Sequence, residues 1–349
     1  MPHLFDPLTL RGLTLKNRIM MSPMCQYSAG EDGLPSDWHY VHYASRAVGG
    51  VGLIMVEATA VESRGRISAM DLGIWNDDQV QPLAKLASTC HLFGAKIGIQ
   101  LAHAGRKAWS TPAGLNAFGP EQPVAPSAVP FEPGWNVPQA LTIPEIDQIV
   151  AAFGTAAARA LAAGFDAIEI HAAHGYLISE FLSPLSNHRD DEYGGSLENR
   201  MRLLHRVVDA VREVWPETFP LFVRVSVSDY TPGGMDVAQM VEVARTLQER
   251  GVDLLDCSSG GVVPAPVPVG PGYQVPFAHR IKRDTGIPTA AVGIITSPEM
   301  ADEIIRNTRA DVVVLGRELL RQPYWPLEAA SALGVDLEWP LQYRRAKRR

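Results

Sequence analysis

The sequence predicts an α/β fold, a (β/α)8 barrel, from three observations. The chain has 349 residues and is 46% hydrophobic, which is enough for one large core. Short β-rich segments recur along it, and most are nearly continuous in apolar residues, as strands buried on both faces should be. Helical patterns separate these segments, and about eight strand–helix units is the count of this barrel. A doubly wound open sheet is the alternative, but the glycine-rich strand–turn–helix that often opens it is missing.

Each element follows from its own local pattern. The predicted strands begin at Arg18, Val51, Lys96, Phe165, Leu221, Val252, Pro288 and Ala310. Helical patterns cover residues 79–94, 145–164, 199–215, 236–251 and 297–309. Gly94, Gly164 and Gly251 close three of these patterns, because glycine is the usual residue that stops a helix before the next strand.

One long segment interrupts the alternation of strands and helices. From Gly105 to Leu141 the chain carries seven prolines and two tryptophans, Trp109 and Trp135. We expect a loop or small cap subdomain after the third strand, at the mouth of the barrel, as a lid or as a floppy insertion. The whole chain, 1–349, is predicted to be a single domain that ends in a basic tail over 340–349.

Bulk properties argue against several classes of protein. The net charge of −7 does not favour a nucleic-acid-binding protein. Three cysteines form neither a disulfide framework nor a CxxC pair, which favours a reducing compartment. The longest apolar stretch is cut by Glu57 and is too short to span a bilayer, and the start of the chain does not resemble a signal peptide. We therefore expect a soluble cytoplasmic protein that does not bind membranes.

Hydrogen-bond donors and cations dominate the predicted strand ends, where a barrel collects its chemistry. The side chains found there include Ser22, Cys25, Tyr27, Glu57, Gln100, His103, His171, His174, Tyr176, Arg224, Ser258, Gly293, Gly316 and Arg317. Carboxylates are few in this set. A site rich in donors suits an anionic or electron-accepting ligand.

Two arginines stand out within this set. Gly293, Gly316 and Arg317 close the last two strands, where barrel loops commonly bind a phosphate; a surface salt bridge is the alternative for Arg317. Arg224 lies inside an apolar strand, and a buried guanidinium must be paired. It either holds a core carboxylate or faces a bound ligand.

The segment IHAAHGYL, residues 170–177, leaves three interpretations open. A zinc site needs a third ligand, which the neighbouring sequence lacks. The histidines could be hydrogen-bonded core residues. Alternatively, the N–H groups of His171 and His174 converge on one oxygen and polarise a carbonyl. Tyr176, with an ordinary pKa of about 10, would then supply a proton.

Several segments, in order along the chain, resemble the Old Yellow Enzyme family and its thermophilic-like ene-reductase branch. They are SPMCQYSA, EATAV, QLAHAGRKA, HAAHGYLISEFLSPLSNHRDDEYGGSLENR, FVRVS, DCSSGG, VGII and LGRELLRQPYWPL. The resemblance runs from Leu4 to Tyr343. It implies a TIM barrel that binds FMN without a covalent bond and takes hydride from NADPH or NADH in ping-pong fashion. The reduced acceptor would be an activated alkene such as an enone, a maleimide or a nitroalkene; quinones, nitro compounds and metal oxyanions are alternative acceptors, and a zinc hydrolase is the alternative enzyme class.

The resemblance also implies residue roles. FMN would be held by Ser22, Pro23, Met24, Cys25, Ala58, Gln100, Arg224, Gly293, Gly316 and Arg317. Cys25 would tune the redox potential of the flavin, unless it is a buried apolar thiol. His171 and His174 would bind the substrate oxygen, Tyr176 would donate the proton and Tyr27 would border the substrate.

The tail departs from the family pattern. In this branch an arginine near the end often enters the active site of a neighbouring subunit, and Arg345 occupies the matching place. The residues that follow, Ala346 and Lys347, replace the usual Gly-aromatic pair. A homodimer or homotetramer with shared sites and a purely solvated tail are therefore both open.

Overall fold

A closed parallel barrel forms the centre of the structure, a computed structural model that describes residues 1–110 and 119–347. Its eight strands, numbered 1 to 8 in chain order, are Ile19–Met21, Leu53–Ala60, Lys96–Ala102, Ala167–Ala172, Leu221–Ser226, Leu254–Ser258, Thr289–Ala291 and Val312–Leu315. Each strand pairs in parallel with the next, and strand 8 pairs with strand 1. The predicted barrel is confirmed.

The barrel interior is apolar at the end where the strands begin. Met20, Phe222 and Leu254 belong to a buried cluster that also includes leucines from the hairpin Leu8–Leu10 and Leu13–Leu15. This hairpin lies at the start of strands 5 and 6, because Gly12 N donates to Thr218 O and the Arg11 side chain binds Asp253. The hairpin therefore closes that end, which leaves the opposite end for ligands.

Helices cover the outside of the barrel. They are Asp37–Val48, Val80–Leu92, Ile143–Ala162, Leu177–Leu182, Leu197–Val214, Val237–Glu249, Val275–Thr285, Pro298–Arg306, Arg317–Arg321 and Trp325–Ala332. All the predicted helical patterns form helices. Gly94, Gly164 and Gly251 follow three of them with φ of 75°, 80° and 81°, as predicted for glycine stops.

Two full-length helices were not predicted. In the helix Asp37–Val48, His39 and His42 are buried. Polar residues thus occupy part of its buried face, and the helical repeat of apolar residues is weak. Val275–Thr285 buries only small or aliphatic residues such as Ala278 and Ile281 among many basic ones. Hydrophobic periodicity is the signal that finds helices in a sequence, and both segments weaken it.

The long segment after strand 3 contains a turn of 3-10 helix, Gly105–Lys107, and two short strands, Val124–Ala125 and Gln139–Ala140, that pair with each other. Trp109 is buried. Residues 111–118 of the predicted cap lie outside the described part of the chain, and its role as a lid stays a prediction. Among the described residues, the search for a helix long and apolar enough to cross a membrane finds none.

Candidate active site

A layer of polar side chains lies just above the apolar interior. Gln100, Glu169, Arg224 and Asp256, on strands 3 to 6, are at most 6% exposed. The strand register makes Gln100 a neighbour of Glu169, and Asp256 a neighbour of Arg224. Gln100 Nε2 donates to Glu169 Oε1 at 2.7 Å, and Arg224 Nε lies 3.3 Å from Asp256 Oδ2. We call these four residues the buried polar layer.

The expectation of few carboxylates is wrong for this layer. Glu169 and Asp256 lie inside their strands rather than at the ends, so a survey of strand ends missed them. The signal was nevertheless present, because a charge in an apolar strand is the observation that singled out Arg224. Burial and, to a smaller extent, the charge of Asp256 raise the pKa of Glu169 to about 8 against the opposing effects of Arg224 and Gln100. Burial also raises the pKa of Asp256, against the opposing effect of Arg224.

Arg224 connects the buried polar layer to a cavity of about 360 Å³ at the carboxyl ends of the strands. Its Nη1 donates to Ser22 Oγ at 3.1 Å, whereas its Nε has no hydrogen-bond partner among the described residues. Gly293, Gly316 and Arg317 line the same cavity. The structure thus brings the residues predicted for a phosphate site, Gly293, Gly316 and Arg317, into one cavity with Arg224.

The cavity leaves no spare room at Gly293. Its φ is 126°, and a Cβ atom there would meet the ring of Tyr273 at 3.1 Å and the Gln274 backbone nitrogen at 3.2 Å. Arg317 is exposed, so its guanidinium is available to an anion. Tyr273 and Gln274 also line the cavity. They come from the loop after strand 6, in which the sequence analysis found no functional signal.

The loop after strand 1 is held by a buried carboxylate. Glu57 Oε2 accepts a hydrogen bond from Gln26 N at 2.6 Å, and Glu57 Oε1 accepts one from the Tyr43 hydroxyl at 3.0 Å. This anchor fixes the backbone between Cys25 and Tyr27. Tyr27 has a φ of 50°, and burial raises its pKa to about 12.

Other predicted residues lie around this loop. Cys25 packs against a small apolar cluster that contains Ala58, and burial raises the pKa of its thiol. Pro23 and Met24 are partly buried. A Cβ atom on Gly316 would lie 3.6 Å from Met24 Sδ, which places this segment beside the cavity.

Two imidazoles and a phenol meet at the end of strand 4. The ring centroid of His171 lies 5.3 Å from that of His174 and 5.0 Å from that of Tyr176, both edge-on. His174 has a φ of 60°, and its backbone N–H donates to Ser226 Oγ at 2.8 Å. The left-handed conformation at His174 ends the strand and brings the second imidazole to the first, which a continuous strand would not do.

Both imidazoles are neutral at pH 7. Burial lowers the pKa of His171 and of His174 well below the usual value, and the charge of Arg224 lowers them further. His171 Nδ1 accepts from Ala173 N at 3.3 Å, so the ring hydrogen is on Nε2. His174 Nε2 lies 2.6 Å from Ser258 Oγ. Only its Nδ1 is therefore left to face a ligand, and it carries a hydrogen when the Ser258 hydroxyl donates to Nε2 rather than to Gln274 Oε1, which lies 3.3 Å from the same hydroxyl.

Lys107 is a functional residue that the sequence analysis did not assign. Its Nζ donates to His174 O at 2.8 Å and to Gly261 O at 3.2 Å, and it lies 5.0 Å from the ring centroid of Tyr176. Burial lowers the pKa of Lys107 to about 8. Burial raises the pKa of Tyr176 well above its usual value, so the phenol is protonated at neutral pH. A lysine directly after strand 3 was the available signal.

Two other predicted residues lie apart from this group. His103 Nε2 lies 2.7 Å from Glu62 Oε1, and its Nδ1 accepts from Gly105 N, which is a structural arrangement. Arg345 is exposed in the turn Leu341–Ala346. The adjoining tail lines a groove with Val48 and Leu92, at the carboxyl ends of two helices. Trp339 and Ala346 line a second pocket together with Thr296 and Glu318, which also line the active-site cavity.

Metal-binding geometry is not found in the described part of the chain, where no group of three or more His, Cys, Asp or Glu side chains could hold a metal ion.

Comparison with known proteins assigns this site to a family. Residues 3–335 match the family described as NADH:flavin oxidoreductase / NADH oxidase. The chain belongs to this family. It is 57% identical over 346 residues to the NADPH dehydrogenase of Geobacillus thermodenitrificans (strain NG80-2), which covers 99% of this chain and 98% of that protein.

Solved structures agree with this assignment. The Old Yellow Enzyme homologue from Zymomonas mobilis superposes with a TM-score of 0.81 at 30% identity, over 98% of this chain and 96% of that one. Morphinone reductase in complex with tetrahydroNAD gives a TM-score of 0.80 at 31% identity, over 97% and 93% of the two chains. The resemblance to the Old Yellow Enzyme family is confirmed. This member of the family is an oxidoreductase that uses FMN and a nicotinamide cofactor.

The residues present fit FMN. Arg224 lines the cavity and provides a cation for an electron-rich group. At the ends of strands 7 and 8 the cavity offers glycine backbone and an exposed cation, Arg317, which suit a phosphate dianion. Gln100 adds an amide to the same buried polar layer. Donors at both ends of the cavity are what a flavin nucleotide requires.

Proposed function

We propose that this protein is an NADPH dehydrogenase of the ene-reductase type, which reduces the C=C bond of activated alkenes such as α,β-unsaturated carbonyls, maleimides and nitroalkenes. NADPH or NADH is the hydride donor. The observation that carries the proposal is the meeting of two neutral imidazoles and a protonated phenol at the end of strand 4. The name of the relative from Geobacillus supports the dehydrogenase activity.

The proposed cofactor site uses the predicted residues. FMN is held by Ser22, Pro23, Met24, Cys25, Ala58, Gln100, Arg224, Gly293, Gly316 and Arg317. The chemistry that FMN supplies when bound is two-electron transfer, with hydride accepted from the nicotinamide in one half-reaction and given to the alkene in the next. Arg224 and Gln100 would lie near the part of the flavin that becomes electron-rich on reduction, where a cation and an amide donor would stabilise negative charge.

The histidines and the tyrosine act on the alkene. His171 Nε2–H and His174 Nδ1–H donate to the oxygen of the activating group, so electron density leaves the C=C bond and its β-carbon becomes electrophilic. The buried phenol of Tyr176 holds its proton until the α-carbon becomes basic, and then donates it. Tyr27 borders the substrate. Neutral imidazoles suit this task because they donate hydrogen bonds without competing for the proton.

Anaerobic absorption spectroscopy tests the proposal. We expect NADPH to bleach the flavin absorption of the purified protein and cyclohexenone to restore it, with cyclohexanone as the product. A His171→Ala, His174→Ala double variant should still be bleached by NADPH but should reoxidise slowly with the enone. Flavin that is restored by quinones but not by any enone would contradict the alkene assignment.

The subunit arrangement is a second part of the proposal. We propose a homodimer or homotetramer in which Arg345 enters the site of a neighbouring subunit, because Arg345 is exposed in the last turn of the chain and occupies the place of the arginine that does so in this branch of the family. Light scattering would give the number of subunits. Mixing an Arg345→Ala subunit with a double-histidine-variant subunit should restore activity that neither has alone, whereas unchanged activity of Arg345→Ala would contradict the shared site.

A further inference from the structure

The buried polar layer holds two carboxyl groups and one guanidinium. Glu169 and Asp256 are both fully buried, and Arg224 on strand 5 lies between their strands. In Glu169, Asp256 and Arg224, two possible negative charges face a single positive one. Glu169 makes no ion pair with another described residue within 4.0 Å, whereas Asp256 pairs with Arg224.

Burying a second, unpaired carboxylate in this layer is costly. An isolated buried charge loses its hydration without a compensating partner, and the carboxyl group takes up a proton instead. The geometry shows which carboxyl this is. Asp256 is the register neighbour of Arg224 and lies 3.3 Å from its Nε. Glu169 accepts a hydrogen bond from the neutral amide of Gln100.

Unsatisfied atoms support the same assignment. Glu169 Oε2 and both carboxylate oxygens of Asp256 lack a hydrogen-bond partner among the described residues. A proton on Glu169 Oε2 converts one of these three orphan acceptors into a donor. Most buried polar groups in proteins are hydrogen-bonded, so this protonation reduces an exceptional cluster of orphan acceptors.

We propose that Glu169 is a positioning residue that remains a neutral carboxylic acid and orients the Gln100 amide, while Asp256 alone carries the charge that balances Arg224. Burial raises the pKa of Glu169 to about 8, in agreement with a neutral acid at pH 7. The layer is then electrically neutral. A second carboxylate would repel the electrons that the flavin receives, and a neutral acid does not.

This inference rests on the proposed placement of FMN next to Arg224 and Gln100. Its test compares two near-isosteric variants of the holoenzyme, Glu169→Gln and Asp256→Asn. The measured quantity is the two-electron midpoint potential of bound FMN, obtained by dye-coupled anaerobic reduction. Removing a real negative charge favours reduced FMN, whereas replacing a neutral acid by an amide does not.

We expect Asp256→Asn to strengthen binding of reduced relative to oxidised FMN by about tenfold or more, which is an upward shift of about 30 mV for a two-electron couple. Glu169→Gln should shift the potential by less than a third of that amount. An equal upward shift in both variants would show that Glu169 carries a charge, and would overturn the proposal.

Infrared spectroscopy reports the proton directly. A protonated carboxyl group gives a carbonyl band that shifts in D2O, and Glu169→Gln should lose one such band. Glu180, a second buried acid whose pKa burial raises to about 8, is the control: the Glu169 band must persist in Glu180→Gln. If the carbonyl band assigned to Glu169 is absent from Glu180→Gln, the band belongs to Glu180 and the proposal is overturned, even if Glu169→Gln does not fold.

The two measurements separate this inference from the proposed cofactor site. If the infrared band disappears in Glu169→Gln but neither variant changes the potential, Glu169 is a neutral acid and FMN does not lie next to the layer. That result overturns both the proposed placement of FMN and the positioning role of Glu169. It supports only the conclusion that Glu169 is protonated.

Discussion

The ammonium group of Lys107 should assist proton donation by Tyr176. When the phenol gives up its proton it becomes a phenolate, and the Lys107 Nζ lies 5.0 Å from its ring centroid. If this distance is taken as the charge separation, two unit charges interact by about 3 kcal/mol at an effective dielectric constant of about 20. We therefore expect Lys107→Met to slow reoxidation of the reduced enzyme by cyclohexenone about 100-fold, at about 1.4 kcal/mol per factor of ten.

The pH dependence of this step has a definite sign. The pKa of Lys107 is lowered to about 8, so the ammonium is charged below pH 8 and its assistance is lost as the pH rises through that value. In the wild type the reoxidation rate should fall between pH 7 and 9. Lys107→Arg keeps its charge throughout this range and should show no such fall, and Lys107→Met should be slow and flat.

Stopped-flow absorption measures this half-reaction separately from reduction by NADPH, which should be nearly unchanged in Lys107→Met. The variant also loses a hydrogen bond to His174 O, so a purely structural role would slow the reaction equally at all pH values. A wild-type rate that does not change between pH 7 and 9, or a loss smaller than about tenfold, which is about 1.4 kcal/mol, would refute the electrostatic reasoning.

Three further predictions concern single side chains. Tyr176→Phe should slow reoxidation by an enone by about 100-fold or more, the usual contribution of a positioned proton donor, while reduction by NADPH stays the same in stopped-flow traces. Gly293→Ala should weaken FMN binding by at least about tenfold, because the backbone has a φ of 126° and the new Cβ meets Tyr273, and a non-glycine residue in a strained conformation costs about 1–3 kcal/mol. Fluorescence titration of the apoprotein with FMN measures the affinity, and an unchanged affinity would contradict the tight packing at Gly293. Tyr43→Phe should lower the free energy of unfolding in urea by about 3 kcal/mol, because Glu57 loses both hydrogen bonds made with the buried hydroxyl and each buried polar group left without a partner costs about 1–3 kcal/mol. A shift of the unfolding midpoint equivalent to less than about 1 kcal/mol would show that water replaces the hydroxyl.

Local sequence patterns were sufficient for the barrel. Strands buried on both faces need continuous apolar residues, and glycine stops such as Gly94 need a left-handed backbone, so both leave a mark within a few residues. Parallel strands around a closed barrel bring all their carboxyl ends to one side, which is why residues as far apart as Ser22, Arg224 and Gly316 were correctly expected to meet. Helix Asp37–Val48 was not predicted because its buried face carries histidines.

The chemistry within the site was decided by tertiary structure. The sequence by itself determined that Arg224 is buried and must be paired, since a charge inside an apolar strand allows nothing else. It did not determine that the partner is Asp256, that Ser258 leaves only Nδ1 of His174 for a ligand, or that Lys107 lies against Tyr176. Each of these is a contact between segments distant in the chain, and the pKa shifts that follow from them come from burial, which exists only once the segments have packed together.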